Sequence, residues 1–205
     1  MSTAVLVHGL WYGPVSMALV ALRMDRQGVD CHRFSYPTLR GTLEDHARAL
    51  GKFAGRLGQP ELHFVGHSLG GLVILRMLAD EADLPPGRVV LLGTPVQGSS
   101  VSRRIGRHRP LRPFLGDSRY SLEAGFARCP GDRQVGVIAG TAGVGIGRAL
   151  GGLEEPHDGT VSVAETRLEG VCDRVDLRVS HTGLVLSAEV VSATLRFLAT
   201  GRFSQ

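Results

Sequence analysis

Cysteine is scarce in this sequence, and long apolar runs are missing. The three cysteines, Cys31, Cys129 and Cys172, are widely separated and form no C-x-x-C pair, so nothing supports a zinc or redox motif. We expect their thiols to be reduced and mostly buried. No apolar run reaches the ~18 residues that a membrane span requires. No H-E-x-x-H or other metal-ligand spacing occurs, so we expect no metal site.

Lysine is almost missing too, because Lys52 is the only one, and the net charge of +4 comes from arginine. Binding to nucleic acid would need a basic stripe with a recognisable motif, and we find none. The glycine-rich stretch 143–152 has Arg148 and Leu150 where G-x-G-x-x-G requires its third glycine. We therefore expect a flexible loop there, and neither a dinucleotide nor nucleic acid as a partner.

The first residues contain no basic region and no small-residue cleavage site, so they do not resemble a signal peptide, and we expect a cytoplasmic protein. Hydrophobic residues make up 43% of the chain and charged residues 20%, as in ordinary globular domains. A length of 205 residues fits one domain over residues 1–205. Such a domain buries enough surface to fold without disulfides.

Apolar, strand-like runs alternate with helix-like stretches along the chain. This alternation predicts an α/β fold with a mostly parallel sheet of about six strands and helices on both faces. Ligands bind beyond the carboxyl ends of the strands in such sheets, so functional residues are expected in the loops that follow them. The predicted strands are 3–8, 29–36, 61–66, 88–93, 134–140 and 174–180, and the predicted helices are 15–28, 42–58, 69–82 and 187–199.

The stretch VGHSLGG, residues 65–71, places Ser68 in a G-x-S-x-G motif between a predicted strand and a predicted helix. That context is the one the nucleophile motif requires. Gly66 and Gly70 remove bulk from a sharp turn, so the serine hydroxyl can project at a helix N-terminus, where a developing anion is favoured. The alternative is a serine that only caps the helix.

At this point the chain resembles the α/β-hydrolase family, and small bacterial lipases and esterases in particular. The motifs VLVHGLW, VGHSLGG, LLGTPVQGS, DGTVSV and SHTGLVLS follow in the family's order over residues 5–187. The resemblance implies a compact version of the fold. The family's usual fold begins with two extra strands, whereas here the strand that leads to the predicted oxyanion loop begins at residue 3. It also implies that residues 94–133, which break the alternation, form a cap or insert.

A serine nucleophile needs a base and a carboxylate that orients it, and the family's chain order is serine, acid, histidine. Of the eight histidines, His108, His157 and His181 follow the serine. His181 comes directly after strand 174–180, where the base belongs, so we predict it as the base. His67 is more consistent with a packing role.

Asp158 is the predicted acid, since DGTV resembles the family's acid turn, and Glu155 is the second candidate. Glu154 also follows strand 134–140, whereas Asp132 precedes that strand and lies at the wrong end of the sheet. The alternative for Asp158 is an ordinary Asp-Gly surface turn.

The resemblance also implies that the backbone N–H groups of Leu10 and Leu69 form the oxyanion hole, with Gly9 allowing close approach and His8 holding the loop. Trp11 and Tyr12 are expected to line the substrate pocket, although they could equally be plain core residues.

The predicted function is hydrolysis of carboxylic esters through an acyl-enzyme on Ser68, without a cofactor, and the partner is a small-molecule ester or lipid. Acyl transfer, thioester or amide cleavage, and a catalytically silent binding protein are the alternatives. Residues 102–119 mix six arginines with apolar side chains. They could contact an anionic membrane transiently or favour anionic substrates; the alternative is a solvated loop whose arginines pair with nearby acids.

Overall fold

A single parallel sheet organises the molecule. The structure, a computed structural model, describes residues 2–80, 84–145 and 153–204, and within them six strands pair in the order β2-β1-β3-β4-β5-β6. Every pairing is parallel. The strands are β1 (Ser2–Val7), β2 (Val29–Phe34), β3 (Leu62–His67), β4 (Val89–Leu92), β5 (Val135–Gly140) and β6 (Asp173–Leu177).

Helices cover both faces of this sheet, as predicted. On one face α2 (Leu43–Leu57), α3 (Leu69–Asp80), α4 (Ser100–Arg107) and α5 (Ser118–Ala124) share one apolar core. On the other, α1 (Ala18–Asp25), the short α6 (Gly183–Leu186) and α7 (Ala188–Thr200) share a second. Three 3₁₀ turns among the described residues span Pro14–Met17, Arg109–Phe114 and Ala164–Thr166.

Residue alternation along β1 explains the two cores. Val5 and Val7 face the first core, whereas Ala4 and Leu6 face the second. All four side chains are fully buried, which is why the strands read as nearly continuous apolar runs.

The amphipathic helix α2 shows how local sequence fixes an element. Its cap, Thr42, accepts a hydrogen bond from the Asp45 N–H, and the Asp45 carboxylate accepts one from the Thr42 N–H in return. The helix ends at Gly58, which adopts the left-handed conformation with φ 60°. The predicted bounds, 42–58, therefore agree with the observed helix and its two caps.

Some predicted bounds differ from the observed ones. The helix predicted from residue 15 begins as a 3₁₀ turn, since Pro14 starts it, and becomes α1 only at Ala18. Strand β6 stops at Leu177, three residues short of the prediction, because residues 178–180 already form the loop that leads to His181. Residues 81–82 of the predicted helix and residues 146–152 of the glycine-rich stretch lie outside the described residues.

The cysteines were expected to be reduced and mostly buried, and all three are free thiols that are buried in part. Cys31 lies on the edge strand β2, where only one side is covered by a neighbouring strand. Partial burial still raises the pKa of Cys31 to about 12 and that of Cys129 to about 11. Across the described ranges, no helix is both long and apolar enough to cross a membrane.

Candidate active site

Ser68 occupies a sharp turn between β3 and α3. Its φ of 54° lies in the left-handed region, which only one other non-glycine among the described residues, Trp11, also adopts. Such a conformation costs about 1–3 kcal/mol and is common at active sites. A side chain on Gly66 would come within 2.6 Å of the Gly71 Cα, and one on Gly70 would collide with the Val7 carbonyl oxygen. The two glycines are therefore required by the close approach of backbone around Ser68.

The His181 side chain is held by Asp158. The distance from His181 Nδ1 to Asp158 Oδ2 is 2.6 Å, and the carboxyl group is 1% exposed. The other carboxylate oxygen accepts hydrogen bonds from the N–H groups of Thr160 at 2.9 Å and Val161 at 2.7 Å. With Nδ1–H donating to Asp158, the Nε2 atom of His181 is the neutral ring's free acceptor.

The two loops that carry this pair are also joined through the backbone, because the His181 N–H donates to the Asp158 carbonyl oxygen at 2.8 Å. His67, fully buried, donates from Nε2 to the His181 carbonyl oxygen at 3.1 Å. Burial lowers the pKa of His67 well below its usual value, with the neighbouring His181 as a further cause, so His67 is neutral. The expected packing role of His67 thus takes the form of support for the His181 loop.

The other titratable candidates lie elsewhere. Glu155 is 78% exposed at its side chain and pairs with His157 Nε2 at 3.1 Å. His157 in turn accepts a hydrogen bond from the Gly159 N–H at its Nδ1 atom. His108 is exposed at the end of α4. The structure therefore brings Ser68, Asp158 and His181 together around one site, and leaves Glu155 turned away from it.

Ser68 and His181 both line a cavity of about 240 Å³. Six apolar side chains form much of its wall, and three of them belong to α4 and α5 of the 94–133 segment. These six are Leu10, Val101, Ile105, Leu115, Leu122 and Val161. A larger groove of about 910 Å³ lies at the amino ends of β3 to β5, far from Ser68, and is lined in part by Glu61, Arg88 and Arg133. The smaller cavity is the candidate active site, because it combines Ser68 in a left-handed backbone conformation, a buried histidine–carboxylate pair and an apolar wall.

The loop after β1 passes directly over Ser68. A side chain on Gly9 would lie 3.0 Å from the Ser68 Cβ atom, which explains a glycine there. The backbone N–H groups of Leu10 and Leu69 donate to no other group in the described part of the chain, and Leu69 opens α3, where first-turn N–H groups are free. His8 holds the loop as predicted: its ring stacks on Tyr36 at 4.7 Å, and its carbonyl oxygen accepts from the Tyr36 hydroxyl.

Trp11 and Tyr12 both line the cavity and are not core residues. Trp11 is 49% exposed, and its indole N–H donates to the Phe114 carbonyl oxygen at 2.5 Å. The Tyr12 hydroxyl lies 2.9 Å from Thr182 Oγ1, next to His181. Together these contacts tie the β1 loop to the 94–133 segment and to the histidine loop.

Three residues of the site were not predicted from the sequence. Glu165 is 7% exposed and accepts hydrogen bonds from the N–H groups of Ser100 and Ser162, so it joins the start of α4 to the loop beyond Asp158. Thr182 and Ser102 also line the cavity. Only Thr182 had a sequence signal, its position beside His181, because the other two depend on contacts between distant segments.

The described residues contain no cluster of three or more histidine, cysteine, aspartate or glutamate side chains that could hold a metal ion. A comparison with curated proteins finds no significant match. A model of the Alpha/beta hydrolase family, however, matches residues 4–188.

The chain belongs to the α/β-hydrolase family.

Solved structures with a similar fold are found at low sequence identity. A Bacillus licheniformis lipase in mature form is 20% identical, with a TM-score of 0.73, and the match covers 97% of this chain and 91% of the lipase. A metagenomic carboxyl esterase is 19% identical, with a TM-score of 0.72, and the match covers 88% of this chain and 64% of the esterase. The NocB thioesterase domain from the nocardicin cluster is 19% identical, with a TM-score of 0.64, and the match covers 97% of this chain and 94% of that domain. At these identities the α/β-hydrolase fold is what the likeness shows.

Proposed function

We propose that this α/β-hydrolase cleaves carboxylic esters through a covalent acyl-enzyme on Ser68. The observation that carries the proposal is the 2.6 Å contact between His181 Nδ1 and Asp158 Oδ2 in the wall of the cavity that also holds the left-handed Ser68. The fold neighbours include proteins described as a lipase and a carboxyl esterase, which favours esters as the substrate class.

In the first half-reaction, His181 Nε2 takes the proton from Ser68 Oγ as the oxygen attacks the ester carbonyl carbon. The resulting oxyanion accepts hydrogen bonds from the Leu10 and Leu69 N–H groups, an interaction that strengthens as charge develops. The C–O bond to the alcohol then breaks, and the His181 imidazolium gives its proton to the leaving alcohol. Asp158 stabilises the imidazolium and holds the tautomer throughout.

In the second half-reaction, water takes the place of the alcohol. His181 Nε2 removes a proton from the water as its oxygen attacks the acyl carbon, and the proton passes to Ser68 Oγ when the acyl bond breaks. The products are a carboxylic acid and the original enzyme, so no cofactor enters the balance.

The apolar wall indicates that the acyl group binds in the cavity. Its volume of about 240 Å³ is below the ~300–1,000 Å³ that is typical of ligand pockets. We therefore propose esters of short to medium acyl chains as substrates.

Hydrolysis of nitrophenyl butanoate and octanoate by the wild type and by Ser68→Ala tests the proposal. We expect turnover by the wild type and a loss of at least ~10⁴-fold in kcat for Ser68→Ala, since nucleophile removal in serine hydrolases has that order of effect. Equal turnover by a folded Ser68→Ala variant would contradict the proposal.

Thioester cleavage is the second candidate, since the thioesterase domain of the nocardicin cluster has the same fold. The oxygen ester and the thioester of one acyl group distinguish the two by their kcat/KM values. Adding alcohols or thiols as acceptors tests acyl transfer by the appearance of a new ester or thioester. A silent binding protein would turn over none of these compounds.

We further propose that the cavity mouth contacts anionic membrane surfaces transiently. Apolar side chains are exposed beside it, with Trp11 at 49% and Phe114 at 60%, and Arg107 and Arg109 are exposed nearby. Arg103, Arg112 and Arg119 instead bond within the protein, to Glu165, to the Gly106 carbonyl oxygen and to Glu123. We therefore base the membrane proposal on Arg107 and Arg109.

The proposed compartment is the cytoplasm. Its support is the three free thiols, which are usual in reducing surroundings. Immunoblotting of fractionated cells tests it, and recovery of the protein only outside the cytoplasm would contradict it.

A further inference from the structure

The turn that carries the Leu10 N–H holds a bulky residue in a conformation that favours glycine. The Tyr12 N–H donates to the Gly9 carbonyl oxygen at 3.3 Å, which closes a four-residue turn with Trp11 at its third position. The φ of Trp11 is 62°, in the left-handed region. Turns with a left-handed third residue usually have glycine or asparagine there, and a side chain as large as tryptophan is an outlier. Some contact must therefore keep Trp11 in this conformation.

Two hydrogen bonds hold Trp11 from outside the turn. Its backbone N–H donates to Thr38 Oγ1 at 3.3 Å, and its indole N–H donates to the Phe114 carbonyl oxygen at 2.5 Å. Thr38 is itself joined to the 94–133 segment, because its carbonyl oxygen accepts a hydrogen bond from the Ser118 hydroxyl. Both restraints on Trp11 thus lead to the 94–133 segment.

The geometry of this turn sets the direction of the Leu10 N–H. That N–H belongs to the same peptide unit as the Gly9 carbonyl group, and the two groups of a trans peptide point in opposite directions. The Gly9 carbonyl oxygen accepts from the Tyr12 N–H and lies 3.1 Å from His8 Nδ1. Because these contacts fix the carbonyl group, they also fix the Leu10 N–H, which donates to no other described group. A change of Trp11 out of the left-handed region would open the turn and release this peptide unit.

We propose that Trp11 is a positioning residue for the oxyanion hole. Its indole contact with the Phe114 carbonyl oxygen keeps Trp11 left-handed, and the turn then holds the Leu10 N–H where the oxyanion forms. The inference rests on the proposed ester hydrolysis, in which Leu10 supplies one of the two donors. Since the oxyanion develops only during the reaction, a misplaced donor lowers kcat and leaves KM nearly unchanged.

Two substitutions of Trp11 with opposite expected ranking test this role. Trp11→Phe keeps an aromatic ring but loses the indole N–H, so the left-handed conformation loses its restraint. We expect kcat for nitrophenyl butanoate to fall roughly 10-fold or more and KM to change less than about 3-fold, since outright loss of an oxyanion donor costs about 10²–10³-fold in kcat. Trp11→Gly removes the whole side chain, yet glycine adopts this turn freely, so most of the lost kcat should return. A tryptophan that only packs in the cavity wall gives the reverse ranking.

The control is Tyr120→Phe, which removes the polar atom of an aromatic side chain that is 71% exposed on α5 and does not line the cavity. Its kcat and KM should equal those of the wild type. Trp11 is also the only tryptophan in the chain, so time-resolved fluorescence anisotropy measures its restraint without any substrate. We expect the native wild type to show only the rotation of the whole protein, because an unrestrained exposed side chain adds a faster local motion.

Three results overturn the inference while the wild type still hydrolyses esters. They are an unchanged kcat in Trp11→Phe, a larger loss of kcat in Trp11→Gly than in Trp11→Phe, and a fast local rotation of Trp11 in the native wild type. Failure of the folded wild type to hydrolyse any ester overturns the proposed function and the inference with it. Thermal melting of each variant shows that the kinetic changes do not come from unfolding, and the anisotropy test needs no variant.

Discussion

The residues proposed to react are restrained in different ways. Ser68 is fixed by its left-handed turn, Asp158 by two backbone N–H donors, and His181 by Asp158 and by backbone contacts. Because each restraint serves the same transfer of one proton, the three side chains should act as a unit.

A double substitution tests this unity. Ser68→Ala should remove nearly all ester cleavage, and adding His181→Ala should lower kcat by less than about 10-fold more, since the base has no nucleophile left to serve. Steady-state kinetics on both single variants and the double variant measure it. Losses that multiply in full would contradict a shared mechanism.

The acid is tested by comparing two carboxylates. Asp158→Asn should lower kcat by ~10⁴-fold, because an amide favours the wrong tautomer of the neighbouring histidine. Glu155→Gln should change kcat by less than about 3-fold, because that exposed side chain pairs with His157. Both variants replace a carboxylate by the corresponding amide. A larger loss of kcat in Glu155→Gln than in Asp158→Asn would therefore assign the orienting role to Glu155.

Among the elements, α4 and α5 supply part of the apolar cavity wall that is proposed to bind the acyl group. Ile105 is 6% exposed and lines the cavity from α4. Ile105→Trp should shorten the preferred acyl chain, with the octanoate-to-butanoate ratio of kcat/KM falling at least ~10-fold, because added bulk removes space from a packed site. Leu22→Trp, on the exposed surface of α1, is the control and should leave the ratio unchanged. An unchanged ratio in Ile105→Trp would remove α4 from the acyl wall.

The exposed arginines of the same segment carry the membrane proposal. Co-sedimentation with phosphatidylserine-containing vesicles should occur at low salt, decrease at high salt, and decrease in Arg107→Ser/Arg109→Ser, since each arginine near an anionic surface contributes about 1 kcal/mol. The control, Arg26→Ser/Arg56→Ser, removes the same charge from exposed positions on other elements. If the wild type does not co-sediment with anionic vesicles at low salt, the membrane proposal is contradicted.

At the scale of the whole molecule, buried histidines link stability to pH. Burial lowers the pKa of four histidines in the folded protein, namely His8, His46, His63 and His67. In the unfolded chain these side chains have the ordinary histidine pKa of about 6.5, so they bind protons at a pH where the folded protein keeps them neutral. The unfolded state therefore gains protons as pH falls below about 6.5, and stability is lost there, at a slope of at most about 1.4 kcal/mol per pH unit for each histidine.

Urea unfolding at pH 7.5, 6.5 and 5.5 measures this slope. His46→Leu should reduce the loss of unfolding free energy between pH 6.5 and 5.5, because it removes one of the four groups. Asp45 and Asp117 oppose the effect of burial on the pKa of His46, so its share is below the limit for one histidine. If the free energy of unfolding of the wild type does not change between pH 7.5 and 5.5, the buried histidines are not kept neutral by folding.

The fold and the core of the candidate site were predictable because their signals are local. Ser68 directly follows β3, His181 lies in the short loop after β6, and Asp158 sits in a recognisable Asp-Gly turn motif. The fully apolar strands specified a sheet covered on both faces. Ser102 and Glu165 could not be predicted, since their roles depend on how the 94–133 segment folds back over Ser68. The short β6 was overestimated because an alternating pattern continues into the loop before His181.

The proposed mechanism requires Ser68 to be an activated nucleophile, and covalent labelling measures this. The folded protein is treated with a fluorophosphonate, and intact mass followed by peptide mapping locates the adduct. We expect one adduct, on Ser68, which forms in the native wild type and is lost in urea, in Ser68→Ala and largely in His181→Ala. A native wild type that stays unlabelled, or an adduct on another residue, would contradict it.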